Sequence, residues 1–302
     1  MEAIVRESVP PVWPGTYMQA GDVPMYVRHA PAESSDAEPG VFVHGLGGGS
    51  STWTDLMNVL RDRIDGYAPD LPGFGSSPPP SRAAYSVTAQ AEAVVALIEH
   101  TGVPVHLFGN SVGGAVAVRV AAERPQLVRT LTLTSPALPD LRPRPALAGL
   151  LAPLVPGVGS MVLRQAGRRT PDEQARLVLN GLAGNPARIH PQRVADTAAE
   201  IAVAADCPHL RDAYMGALRG IVADYLRRGP GGLWPAAGQV RAPTLIVYGA
   251  ADPMVDARHA ARAARAFRGS RVLVLGGVGH LAQLEEPRVV ANAFRTLVAP
   301  HG

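Results

Sequence analysis

The chain has 302 residues, 47% of them hydrophobic and 18% charged, with a formal net charge of +3. That is a globular composition, long enough for one large domain or a core with an inserted subdomain, and it excludes a disordered chain. All 28 permanently charged basic residues are arginine, which excludes a Walker-type phosphate loop, a Schiff-base enzyme and a Ser–Lys dyad, each of which needs a lysine amine.

In chain order, Met1 to Pro14 carries acids and prolines and no apolar core segment, so it does not read as a signal peptide. Thr16–Ala20 and Pro24–His29 read as strands flanking a Gly21-Asp22 turn. After a polar loop over Pro31–Gly40, Val41-Phe42-Val43 is a short apolar run and predicts a buried strand. The pattern then alternates: helix over Trp53–Arg63, strand over Gly66–Asp70, helix over Val87–His100, strand over Val105–Phe108, helix over Val112–Glu123, strand over Val128–Leu133. Such alternation predicts a mostly parallel sheet covered by helices on both faces.

Between Pro136 and Trp234 the alternation stops. Helical segments are predicted at Leu147–Leu154, Pro171–Leu182, Gln192–Ala204 and Leu210–Leu226, bounded by proline-rich seams at Pro139, Pro143, Pro145, Pro230 and Pro235. Its most apolar stretch, Ala146–Leu163, is broken by Pro153, Pro156 and glycines, and makes a poor membrane span. Cys207, the one cysteine, reads as a small buried filler; with no disulfide available, a cytoplasmic location fits. The strand–helix pattern resumes at Thr244–Tyr248, Ala257–Phe267, Val272–Leu275 and Pro287–Val298. The arginines are scattered, so no nucleic-acid footprint stands out. The expected organisation is a core of residues 1–135 and 236–302 with a helical lid over 136–235.

Four segments carry chemistry. Gly109-Asn110-Ser111-Val112-Gly113-Gly114 stands between a strand and a helix. Glycines two before and two after a serine suit a sharp strained turn that lifts the hydroxyl above the sheet. The pattern alone is weak in a chain with 32 glycines, but its strand-before, helix-after context is not. Val43-His44-Gly45-Leu46-Gly47-Gly48-Gly49 follows the first buried strand, and points to the N–H groups of Leu46 and Val112 as an oxyanion-binding pair. A dinucleotide-binding reading of this loop is the weaker rival: Ser50 stands where a third glycine is needed, His44 immediately precedes the turn, and it leaves Ser111 unexplained. Asp252, just past the strand Thr244–Tyr248, can orient a histidine; Asp256 and Asp140 are competitors. His280, in Gly276-Gly277-Val278-Gly279-His280, is the histidine placed in a glycine-rich loop past a late strand. The order Ser111, Asp252, His280 predicts nucleophile, orienting acid and general base.

These segments, together with Asp70-Leu71-Pro72-Gly73-Phe74-Gly75-Ser76-Ser77, resemble the α/β-hydrolase superfamily over nearly the whole chain. The resemblance implies an α/β fold with an inserted helical lid, a serine hydrolase mechanism, and no metal or organic cofactor. Asp70 is then a structural turn residue. His44, Gly45, Asn110 and Leu281 become candidate substrate contacts. Serine at the elbow argues against the epoxide-hydrolase and haloalkane-dehalogenase branches, which use aspartate there; Tyr214 and Tyr225 in the insertion then read as packing or substrate contacts. The segment Gly45–Trp53 is similar to carboxylesterases, lipases and cofactor-free haloperoxidases. Gly109-Asn110-Ser111 and the run from Gly279 to Glu285 are similar to hydrolases that cut carbon–carbon bonds of vinylogous diketones, although that branch usually has tryptophan where Leu281 stands. The expected substrate is a small apolar carboxylic ester; the alternatives are C–C bond cleavage and a non-catalytic binding protein on the same fold. No nucleic-acid partner and no integral membrane segment are expected, and homo-oligomerisation stays open.

Overall fold

The computed structural model describes residues 9–21, 23–80, 84–140, 142, 144–155, 157, 168–227 and 229–299. Asp22 and Pro143, the residues before Val9, and most of the apolar stretch beyond Val155 lie outside them. The chain enters through a hairpin: β1 (Gly15–Ala20) pairs antiparallel with β2 (Val23–Ala30), and Gly21 makes the turn at φ 62°. Six further strands follow: β3 (Glu38–Val43), β4 (Ile64–Pro69), β5 (Val105–Asn110), β6 (Val128–Thr134), β7 (Thr244–Gly249) and β8 (Arg271–Leu275). They form one eight-stranded sheet in the order β1-β2-β4-β3-β5-β6-β7-β8. β2 meets β4 antiparallel, and every pairing from β4 to β8 is parallel.

Strands β5 and β7 are buried at every residue, as central strands covered on both faces must be. One face is covered by α1 (Thr54–Leu60) and a C-terminal helix over Pro287–Val298. An aromatic cluster lies here: Phe42 stacks on Phe108 with ring centroids 4.2 Å apart, and Trp53 and Phe294 close it. The opposite face is covered by α2 (Val87–Thr101) and α3 (Val112–Glu123), and its core is mostly Ala, Val and Leu, with Phe74, Tyr85, Tyr248 and Phe267 among them. Ser86 caps α2 by accepting the Ala89 N–H, and Gly102 ends it in the left-handed region at φ 73°.

The chain between β6 and β7 is helical among the described residues: α4 (Pro145–Leu151), α5 (Pro171–Leu182), α6 (Pro191–Ala205), α7 (Leu210–Leu226) and α8 (Leu233–Ala237). The expected boundary at residue 235 falls inside α8. Leu233, Ala236 and Ala237 of this helix are buried in the sheet-face core, so the return to the core starts earlier than the composition suggests. Pro235 hides that turn of helix in the sequence. Arg193 of α6 is buried and donates two hydrogen bonds to Asp55 at 2.8 and 2.9 Å, fastening the insertion to the core. Cys207 is half-buried in the turn after α6 rather than packed as filler. After β7 come α9 (His259–Ala266), a short α10 (Ala282–Glu285) and the C-terminal α11 (Pro287–Val298). No helix among the described residues is long and apolar enough to cross a membrane.

Candidate active site

β5 runs into α3 through Ser111, whose backbone sits at φ 53°, ψ −120°. Among the described residues, Ser111 and Ser135 are the non-glycine residues with positive φ, and both follow adjacent central strands. A positive φ in a residue with a Cβ costs of order 1–3 kcal/mol and persists where surroundings enforce it. The enforcement is visible. A Cβ on Gly113 would run into the carbonyl oxygens of Val43 and His44, and one on Gly109 would strike the Gly113 backbone. The turn therefore packs backbone against backbone. Gly113→Ala is expected to lower stability by about 3 kcal/mol or more, because no flexible side chain can yield there. Thermal melting of the variant checks this, and an unchanged midpoint would contradict it.

The sequence-predicted histidine and acid meet. His280 Nδ1 and Asp252 Oδ2 lie 2.9 Å apart, and both residues are buried. The other carboxylate oxygen of Asp252 accepts the N–H groups of Met254 at 2.7 Å and Val255 at 3.0 Å. Burial alone would raise the Asp252 pKa, but the charge and hydrogen bond of His280 and the Val255 N–H hold it below the usual carboxylate range. Neither competitor acid reaches His280. Asp140 pairs with Arg258 and His259, and Asp256 with Arg144 and Arg258.

The loop after β3 lies directly on the serine turn. A Cβ on Gly45 would stand 3.1 Å from Ser111 Cβ, so a glycine leaves the approach to the serine open. Leu46 and Val112 both line a small apolar cavity with Phe74, Tyr85, Val87 and Ala217. Tyr214 of α7 covers this loop: a Cβ on Gly47 would come within 3.2 Å of its ring. Burial raises the Tyr214 phenol above its ordinary pKa.

Three candidate substrate contacts are occupied within the protein. His44 accepts the Leu71 N–H on Nε2 at 2.9 Å and stands 2.7 Å from the Gly45 carbonyl through Nδ1. The acceptor role of Nε2 leaves the proton on Nδ1, and burial lowers the ring's pKa despite Asp70 and the Gly45 carbonyl. Asn110 donates its side-chain amide to Thr134 O, Thr134 Oγ1 and His280 O at 3.0–3.1 Å, tying β5, β6 and the histidine loop together. Leu281 packs with Ala175, Leu179, Ile189 and Val194 of the insertion. Asp70 accepts the Ser50 and Ser76 N–H groups, a turn-bracing role.

Comparison with known proteins follows the same lines. A family model described as alpha/beta hydrolase fold matches residues 41–287. The chain belongs to the α/β-hydrolase family. It is 34% identical to Lipase 3 of Moraxella sp. over 125 residues, which are 40% of this chain and 38% of that lipase. The match thus spans well under half of that relative's length. It is 26% identical over 270 residues to the pimeloyl-[acyl-carrier protein] methyl ester esterase of Neisseria meningitidis, covering 85% of this chain and 75% of the esterase. Among solved structures, the 2-hydroxy-6-oxo-6-phenylhexa-2,4-dienoate hydrolase of Rhodococcus superposes with a TM-score of 0.76 at 20% identity, over 94% of this chain and 97% of that one. At that identity the likeness is one of fold.

One half-buried acid near this α/β-hydrolase site has no sequence signal. Glu200 of α6 reaches the glycine loop, where a Cβ on Gly49 would lie 2.9 Å from its carboxylate, and it pairs with Arg28 at 3.5 Å. Burial raises its pKa to about 7; Asp70 adds to the rise, while Ser51 and Arg28 oppose it. The folded state therefore holds this proton up to near pH 7, whereas the unfolded chain releases it near 4.5. Stability falls as pH rises between these values and stays low above them. Glu200→Gln removes that loss and is expected to stabilise the protein by on the order of 2 kcal/mol at pH 8, and much less at pH 5. Melting curves at the two pH values test this; an equal shift at both would refute it.

Proposed function

We propose that this chain is a serine hydrolase that cleaves an apolar carboxylic ester through an acyl-enzyme. The observation that carries this reading is the buried Asp252–His280 pair on the same sheet edge as Ser111, which is held at φ 53° beside the Gly45 loop. Asp252 holds the His280 proton on Nδ1, leaving Nε2 free to accept one. His280 takes the Ser111 hydroxyl proton as the oxygen attacks the ester carbonyl. The tetrahedral oxyanion is received by the N–H groups of Leu46 and Val112; a donor of this kind is worth about 3–4 kcal/mol in the barrier. His280 passes its proton to the departing alcohol. Water, deprotonated by the same ring, then releases the acid and regenerates Ser111. No metal or organic cofactor enters.

Both proposed N–H donors flank an apolar cavity of about 10 Å³, roughly the space of one water. An acyl chain entering there needs the helical insertion to give way at Ala217, or the core segment before α2 to yield at Tyr85. We assign the insertion, 136–235 less its α8 turn, the role of a lid over the site. Leu281 and Asn110 serve in this reading as holding groups for the His280 loop. The curated relatives named lipase and esterase favour ester cleavage. The test is a p-nitrophenyl ester series. Turnover of medium-chain apolar esters is expected to exceed that of charged short-chain ones by at least tenfold. Preference for the charged esters would overturn the apolar-substrate assignment, and labelling of Ser111 without any ester turnover would favour C–C bond hydrolysis.

A further inference from the structure

Glu285 ends α10, five residues after His280, and is buried. A buried carboxylate is costly unless it is fully hydrogen-bonded or paired. Among the described residues no arginine or histidine pairs with it; Arg188 pairs with the neighbouring Glu286 at 3.1 Å. Its acceptors are satisfied by backbone from two separate parts of the molecule. Oε1 accepts the Gly279 N–H at 2.8 Å, one residue before His280. Oε2 accepts the N–H groups of Gly184 and Asn185, both at 3.0 Å, in the turn after α5 of the insertion.

The same two segments touch without side chains between them. A Cβ on Gly184 would lie 2.6 Å from the Gly279 nitrogen, and a Cβ on Gly279 would run into the Leu182 carbonyl. The His280 N–H donates to Leu182 O at 2.8 Å. The histidine's own backbone is thus held on one side by the insertion and on the other by Asn110, which donates to its carbonyl at 3.1 Å.

We propose that Glu285 is a positioning residue that couples the seating of the insertion to the alignment of His280. The inference rests on the serine-hydrolase reading above. Without the carboxylate, three N–H groups lose their acceptor, and the turn at 184–185 separates from the loop that carries the base. Displacement of a catalytic group by about 1 Å commonly lowers turnover on the order of 10²-fold while leaving substrate binding less affected.

Glu285→Gln keeps the size and removes the charge; Glu286→Gln makes the same change one residue on, at the partly exposed Arg188 pair. On a p-nitrophenyl ester that the wild type hydrolyses, Glu285→Gln is expected to lower kcat roughly 10- to 100-fold with KM within about threefold. Glu286→Gln is expected to stay within twofold in kcat. Tryptic cleavage after Arg188, followed at a temperature where circular dichroism shows both proteins folded, is expected to be faster in Glu285→Gln than in wild type. A kcat for Glu285→Gln within twofold of wild type, a loss shared equally by KM, or unchanged cleavage after Arg188 would overturn the coupling. Should the wild type neither turn over esters nor react with a fluorophosphonate, the serine-hydrolase reading itself fails; the proteolysis comparison then decides alone whether Glu285 fastens the insertion.

Discussion

Asp252→Asn is expected to lower kcat by about 10⁴-fold while the protein folds and binds substrate nearly as before. The size follows from how this carboxylate is held. One oxygen accepts two backbone N–H groups, from Met254 and Val255, and the other faces His280 Nδ1. An asparagine must keep its carbonyl oxygen on the two N–H donors, since its amide hydrogens would clash with them. Its NH₂ group is then turned toward His280 and can only donate. The ring answers by moving its proton to Nε2, the position that must be empty to accept the Ser111 proton. The wrong tautomer, rather than lost packing, removes activity. Kinetics of the variant beside its melting curve check this: a loss below tenfold would mean that Asp252 does not set the tautomer. A two-dimensional nitrogen spectrum of the His280 ring reads the proton's position directly, and a proton still on Nδ1 in the variant would contradict the argument.

Ser111→Ala is expected to be the most damaging single change to turnover, with kcat lowered by about 10⁴- to 10⁶-fold. Alanine keeps the Cβ and therefore the strained φ, so the elbow, its hydrogen bond from Ser111 N to Thr134 O at 3.1 Å and the α3 start are retained. The variant should melt close to wild type. Residual catalysis from the Leu46 and Val112 N–H groups and from binding would be measurable above the uncatalysed rate. Ester turnover within tenfold of wild type would place the nucleophile elsewhere.

How much of this was legible in the sequence differs by kind of interaction. The serine turn was legible because backbone sterics require glycine at 109 and 113, and those requirements survive in any alternating strand–helix fold. Helices Pro171–Leu182 and Leu210–Leu226 carry the expected limits, the first because Thr170, Pro171 and Glu173 form a capping signature at its start. Strand β3 begins at Glu38, not Val41, since Glu38 and Pro39 join the ladder beside Ile64 and Asp65 despite a polar, proline-bearing local sequence. The four-residue α10 is too short for any periodicity to announce it.

Side-chain contacts were legible only where they depend on position along the chain. The pairing of His280 with Asp252 was readable from their order and their loops. His44 read as a substrate contact because it borders the glycine loop, yet both ring nitrogens are engaged with Leu71 and Gly45. Glu200 and Glu285 gave no local sign at all. Their partners lie about 150 and 100 residues away, at Gly49 and at Gly184, and only the folded insertion brings them together.

The central claim is that Ser111 is a nucleophile activated by His280. It is tested most directly by treating the folded wild type with a fluorophosphonate and locating the adduct by peptide mass spectrometry. One adduct per chain, on the peptide containing Ser111 and absent from Ser111→Ala, is the expected result. No adduct on the folded protein, or one carried by another residue, would contradict it.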